Sequence, residues 1–254
     1  MTDDASLVER TPVLGGRVTL FQPRQGYRTA IDPVLLAAAV GAAAGDSVLE
    51  LGCGTGAALL CLAARVPGLQ VTGLEIQPMA AGLARQAAAA SGLDARVRIL
   101  EGDLAHPPPD LRPNSFDHVM ANPPFWPAGR HTPSPSGHKA ASHGEGAGEG
   151  TGDLAGFIQA ALRLLRSRGT LTLIYPADRL DLLLSLLAGR FGDIRLLPLW
   201  PRAGQPARRI ILSARRDARG PLSLLPGLVL HGDGQGYMPA AEAILRDGMP
   251  LPVG

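Results

Sequence analysis

The residues Val48-Leu49-Glu50-Leu51 run directly into Gly52-Cys53-Gly54-Thr55-Gly56 and then into a stretch dominated by alanine and leucine. Three glycines in five residues permit left-handed backbone and a tight reversal, so the segment reads as a strand, a glycine turn and a helix. Residues 71–74 are a second apolar strand candidate followed by another alanine-rich helical stretch, which completes a βαβα unit between residues 47 and 93. Strands joined through a helix pair in parallel. The chain is therefore expected to be an α/β protein built on a doubly wound sheet.

Further strand candidates lie at residues 97–100, 118–121, 170–175, 194–199 and 209–214, with helices at 154–165 and 178–187. Together these make a mostly parallel, seven-stranded sheet. Its last two strands, joined by a Pro/Gly turn, are expected as a C-terminal antiparallel hairpin closing the sheet edge. Upstream, residues 17–22 read as a short strand. Asp32-Pro33 then opens an Ala/Leu-rich helix, with Asp32 as N-cap and Pro33 as the first helical residue. No repeat or linker divides the chain: residues 1–30 are read as an N-terminal extension and residues 31–254 as one domain.

With 254 residues, 46% of them hydrophobic, the chain can bury a substantial core. A net charge of +2 permits an anionic partner without demanding one. Cys53 and Cys61 make neither a metal pattern nor a disulfide framework, and a reducing compartment is the default. Residues 1–16 are polar rather than signal-like and no apolar run reaches membrane-spanning length, so a cytoplasmic protein without membrane contact is expected. Nothing in the pattern speaks to oligomeric state. Residues 126–152 are rich in Gly, Pro, Ser and His and almost free of aliphatic side chains. They are expected to form a mobile loop, either a substrate lid or a disordered segment. His131, His138 and His143 in that loop match no zinc spacing, and no metal is assigned.

In a doubly wound sheet, ligands sit beyond the carboxyl ends of the strands. That rule brings Gly52, Gly54, Gly56, Glu75, Asp103 and Asn122 to one rim, because each follows or ends a strand candidate. The loop through Ala57 also fits a dinucleotide fingerprint, with Glu75 where a ribose-binding acid would stand, so a nicotinamide enzyme is one reading. Glu50 favours another: an acid just before the first glycine is badly placed for a pyrophosphate but well placed for the amino and sulfonium groups of S-adenosylmethionine. Asp103 reads either as an acceptor for an adenine amino group or as a turn residue capping the next segment. The tetrad Asn122-Pro123-Pro124-Phe125 is either a turn or a clamp for a planar amino nitrogen. As a clamp, the Asn122 oxygen and a carbonyl held extended by the prolines accept the two amino protons, and Phe125 stacks on the flat substrate.

On these residues the sequence resembles the S-adenosylmethionine-dependent methyltransferases of class I, in their small-domain amino-methylating group. Among these it is most similar to the bacterial tRNA1(Val) adenine-37 N6-methyltransferases. The resemblance covers nearly the whole chain and rests on residues 25–36, 48–56, 73–75, 102–103, 122–125 and 208–212. It implies a Rossmann-like fold with S-adenosyl-L-methionine as cofactor. It also implies that the stretch before the first sheet strand, with Arg28 and Asp32, lies over the methionine moiety. The implied reaction is methyl transfer to an exocyclic amino nitrogen, adenine N6 of tRNA, with protein-glutamine N5 methylation as the alternative. RNA needs cations, and Arg195, Arg202, Arg208, Arg209, Arg215, Arg216 and Arg219 cluster toward the C-terminal hairpin, with Arg10, Arg17 and Arg24 as a possible extension. The same run also reads as a solvated face.

Overall fold

The computed structural model describes residues 8–24, 31–124, 154–234 and 236–253. Arg28, Phe125 and the segment 126–152 lie outside the described residues. The chain enters through β1 (Val8–Val13) and β2 (Val18–Pro23), which pair antiparallel as a separate two-stranded sheet. Only β2 is legible in the sequence; β1 carries Glu9, Arg10 and Pro12 and shows no clear alternation. Helix α1 (Asp32–Ala39) follows, buried along most of its length. Asp32 already lies inside its first turn, with Ile31 in the cap position and no side-chain cap. The N-cap role expected for Asp32 is thus corrected, because its carboxylate accepts a hydrogen bond from Arg209 instead, at 3.0 Å.

The main sheet is built from β3 (Ser47–Leu51), α2 (Ala57–Arg65), β4 (Gln70–Glu75), α3 (Pro78–Ala90), β5 (Val97–Glu101), β6 (Phe116–Ala121), α4 (Leu154–Leu164) and β7 (Leu165–Pro176). After these come α5 (Leu180–Leu187), β8 (Phe191–Arg202), β9 (Arg209–Arg216), β10 (Ser223–Leu224), β11 (Leu228–His231) and α6 (Pro239–Asp247). The strand order is β10-β8-β9-β7-β6-β3-β4-β5, with β11 also on β8. Strands β5, β4, β3, β6 and β7 are parallel, and β9 runs antiparallel to both β7 and β8. The seven expected strands are present, with the hairpin formed by β8 and β9. The outer edge of that hairpin is itself paired by the short parallel strands β10 and β11, which no sequence pattern announces.

Alternation along each strand sorts side chains into two cores, as the two-residue period of a strand requires. Val48, Val71 and Met120 face α1, α2, α3 and α6, whereas Leu49, Leu51, Val119 and Ala121 face α4 and α5. With both faces covered, the central strands are nearly continuous apolar runs. Two cations are consumed in tying helix ends. Arg65 donates to the carbonyls of Ala37 and Val40 at the end of α1, and Arg96 donates to those of Ala63 and Val66 at the end of α2. Among the described residues no helix is long and apolar enough to cross a membrane.

Candidate active site

The chain leaves β3 to one side for β4 and β5, then returns to pair β6 on the other side of β3. This reversal opens a crevice between the carboxyl ends of β3 and β6, where open α/β sheets bind ligands. Leu51 is in register with Leu74 and Ala121, and Glu75 with Glu101, so Gly52, Glu75, Glu101 and Asn122 stand at the same level, with Gly102 one residue beyond.

Gly52, Gly54 and Gly56 all take left-handed backbone, with φ of 66°, 54° and 86°. The Gly52 and Cys53 amides both donate to the Leu74 carbonyl, at 2.8 and 3.0 Å, which bolts the loop to β4. A Cβ on Gly52 would come to 3.3 Å from the Phe157 ring, and one on Gly56 to 3.2 Å from the Ala84 methyl group. At Gly54 it would meet nothing within 4 Å among the described residues. Packing therefore requires two of the glycines, and the third leaves the exposed face of the loop open for a ligand to approach the backbone.

Glu75, at the end of β4, is buried, and its two oxygens accept hydrogen bonds from the Gly54 amide at 2.7 Å and the Gln77 amide at 2.9 Å. Burial raises its pKa, and these backbone donors oppose the rise. Glu50 is 3% exposed, and its Oε2 is buried without a hydrogen-bond partner among the described residues. Burial pushes its carboxyl well above the usual range; a backbone hydrogen bond from Leu59 works against this and repulsion from Glu75 adds to it. A buried carboxyl with one oxygen left without a partner among the described residues favours a cationic ligand.

Asn122 stands just past β6, and its Oδ1 is buried with no hydrogen-bond partner among the described residues. Pro123 is buried beside it. Asp103 lies two residues beyond β5, where its Oδ1 accepts from the Ala105 amide at 2.9 Å, so the turn role read from the sequence is filled. Asp32 is held at the rim by Arg209, the first residue of β9, which sits opposite Pro176 and Leu199. Two apolar side chains at this rim escaped the sequence reading. Ile76 and Met79, in the turn and first helical turn after Glu75, are 57% and 48% exposed. The available signal was aliphatic residues directly after a strand-end acid. Among the described residues no group of three or more His, Cys, Asp or Glu is placed to hold a metal ion.

The structure divides the C-terminal arginines. Arg202, Arg208 and Arg209 lie at the same end of the sheet as Asn122, whereas Arg215 and Arg216 lie at the opposite end, beside Gly192 and Phe191. Arg216 is occupied there by Asn114 and the Leu165 carbonyl. Arg195 faces Ser213 and Ser223 in mid-strand. In the N-terminal hairpin Arg10 covers the ring of Phe21 and Arg17 donates to the Leu14 carbonyl. A single continuous track through all of these positions is therefore not formed.

A family model described as a methyltransferase domain matches residues 48–132. The tRNA1(Val) (adenine(37)-N6)-methyltransferase of Porphyromonas gingivalis is 38% identical over 183 residues, covering 67% of this chain and 69% of the relative. The chain belongs to the S-adenosylmethionine-dependent N-methyltransferases. The enzyme of the same description from Yersinia enterocolitica is 28% identical over 228 residues, covering 86% of this chain and 87% of its own. Among solved structures, a predicted O-methyltransferase from Agrobacterium tumefaciens superposes with a TM-score of 0.70 at 23% identity, over 87% of this chain and 98% of that one, which shows the shared Rossmann-like fold. The residues present fit S-adenosyl-L-methionine, the cofactor of these enzymes. Among the described residues the loop face at Gly54 is open and the buried Glu50 oxygen lacks a partner, next to a crevice that would receive a sulfonium and an ammonium group.

Proposed function

We propose that the protein methylates N6 of an adenosine in tRNA. Carrying the proposal is the buried Asn122 Oδ1, which has no partner among the described residues, at the end of β6 across the crevice from the glycine loop. An acceptor left unmade in a protein interior costs about 1–3 kcal/mol, so its persistence points to a partner that arrives with the substrate. In support, the relatives named above are tRNA adenine methyltransferases.

In this reading Gly52, Gly54, Gly56, Glu50 and Glu75 hold the cofactor, Glu75 through the ribose hydroxyls, with Ile76 offering apolar surface to a flat ring. Arg28, Asp32 and Asp103 complete the pocket, Asp32 as the partner of Arg209. When bound, S-adenosylmethionine supplies an electrophilic methyl group on a positively charged sulfur. Asn122 Oδ1 and the Pro123 carbonyl accept the two amino protons, which returns lone-pair density to N6 and orients it for in-line attack. Phe125 stacks on the base and Pro124 fixes the chain between them. The nitrogen–methyl bond would form as the sulfur–methyl bond breaks, with the neutral thioether S-adenosylhomocysteine as the leaving group, and one amino proton is lost late to solvent, so no strong general base is required. An adenine reaches such a pocket only when unstacked, which is least costly in a single-stranded loop.

Transfer of labelled methyl to total tRNA, followed by nucleoside analysis, tests the proposal. N6-methyladenosine is the expected product; label found only in protein glutamine overturns it. Asn122→Ala is expected to abolish transfer while leaving cofactor affinity nearly unchanged, and wild-type turnover in this variant would remove Asn122 from the chemistry.

A further inference from the structure

Strand β8 is antiparallel to β9, and β9 to β7, so β8 leaves the sheet in the same direction as β6 and β7. Ala121, Leu173, Leu212 and Leu196 are successive register partners and form one row across the sheet. Asn122 is the next residue after this row, whereas β8 continues past it as far as Arg202. At about 3.3 Å per residue, Arg202 stands about 20 Å beyond the row, and three inter-strand steps of about 4.8 Å place β8 about 14 Å to the side of β6. Strand β11 runs beside it, with His231 opposite Arg202. The two strands make a wall that projects past the crevice on one side.

The top of this wall carries an aromatic pair. The rings of His231 and Tyr237 stack with centroids 4.7 Å apart and planes 25° from parallel. The pair is preassembled: His231 and Tyr237 form an antiparallel bridge, His231 Nδ1 lies 3.2 Å from the Gly236 carbonyl, and the Met238 amide donates to Leu230 at 2.8 Å. Arg202 pins the intervening turn by donating to the Gly234 carbonyl at 3.1 Å. Tyr237 nevertheless remains 38% exposed. Neither Arg202 nor Arg208 has an acidic partner among the described residues, and the one acid in the turn is the exposed Asp233. A preassembled exposed ring, close to a guanidinium that has no acidic partner among the described residues, is the arrangement that receives a single-stranded nucleotide, the base on the ring and the phosphate on the cation.

We propose that the Tyr237–His231 stack is a second RNA contact, seating an unstacked base a few nucleotides from the target adenosine while Arg202 and Arg208 meet the phosphates. It rests on the RNA reading above and specifies where that substrate is held outside the crevice. Because the contact is remote from the reacting atoms, it acts on tRNA binding and leaves the chemical step alone.

Steady-state kinetics with tRNA, together with calorimetric S-adenosylmethionine affinity, tests this. Tyr237→Ala is expected to raise KM for tRNA by about 5- to 150-fold, the range that loss of one base–aromatic stack supports, with kcat and cofactor affinity unchanged. Tyr237→Phe should keep the wild-type KM, as should Arg219→Ala, which follows the β9 end remote from the crevice. An unchanged KM in Tyr237→Ala, or an equal loss in Tyr237→Phe, overturns the contact while leaving the adenine reading intact. Wild-type protein that methylates no RNA overturns both. Should Tyr237→Ala fail to fold, Asp233→Arg at the exposed turn takes its place: it is expected to lower KM for tRNA, and an unaltered KM refutes the proposal.

Discussion

Gly73 offers a quantitative test of how the glycine loop is supported. It lies in β4 with its missing side chain toward α2, on the face shared with Val71. A Cβ there would stand 2.6 Å from Cys53 Sγ and 3.0 Å from both Cys53 Cβ and a methyl carbon of Leu59. Ordinary carbon contacts are about 3.5–4.0 Å, so Gly73→Ala forces the loop and the start of α2 outward by up to about 1 Å. Overpacking of this kind costs about 1–3 kcal/mol, offset by about 0.5–1 kcal/mol from replacing glycine in a strand whose φ suits any residue. Burial raises the Cys53 thiol well above its usual pKa, which makes it inert, so Cys53→Ala removes the nearest obstacle without removing any chemistry. Gly73→Ala is therefore expected to destabilise the wild type by up to about 2.5 kcal/mol and to cost less in the Cys53→Ala background, where the 2.6 Å contact with sulfur is gone and only the 3.0 Å contacts with the residue-53 Cβ and Leu59 remain. Urea unfolding of the four proteins with unchanged m-values measures the coupling, and calorimetry should show cofactor affinity weakened in Gly73→Ala and partly regained in the double variant. Strictly additive effects on both readouts would refute the account.

Three further outcomes follow from the titrating groups. A carboxyl whose folded pKa is raised contributes stability that is complete below its unfolded value of about 4.3 and is lost as pH rises through the folded pKa. Burial raises Glu50 in this way, so Glu50→Gln should gain in melting temperature over wild type increasingly from about pH 5 upward, while binding S-adenosylmethionine more weakly. A difference independent of pH would contradict this. Glu75→Ala should weaken cofactor binding by about 1–3 kcal/mol and also lower the melting temperature without cofactor, since the Gly54 and Gln77 amides lose their acceptor; calorimetry with thermal melts separates the two effects. Burial alone would raise Asp117, yet hydrogen bonds from the Ser47 amide and hydroxyl and the Arg166 guanidinium hold its carboxyl below the usual range. Stability from a depressed carboxyl is present above its unfolded pKa of about 3.9 and lost as pH falls, so Asp117→Asn should cost about 1–3 kcal/mol at neutral pH and progressively less below about pH 4. Cofactor affinity should not change, because Ser47 and Asp117 lie at the opposite end of β3 and β6 from the crevice.

Local chemistry determined a large part of this protein in advance. Apolar runs of four to six residues, glycines where the backbone must turn left-handed and acids at strand ends are signals each segment carries alone, and they sufficed for the parallel sheet and for the rim that holds Gly52, Glu75 and Asn122. Strands β1, β10 and β11 were invisible because each is short or polar and gains its stability from a partner strand, β2 or β8, rather than from its own pattern. Asp32 reads as a helix cap until Arg209, 177 residues away, arrives beside it. The arginines of the last two long strands look like one cluster in the sequence, but an antiparallel hairpin sends the two ends of each strand to opposite rims. Only strand direction decides which cations face the crevice, and the stacking of His231 on Tyr237 depends in the same way on a turn folding back across β11. Such pairings are set by the burial and hydrogen bonding of residues distant in the chain, so they exist only once the sheet has formed.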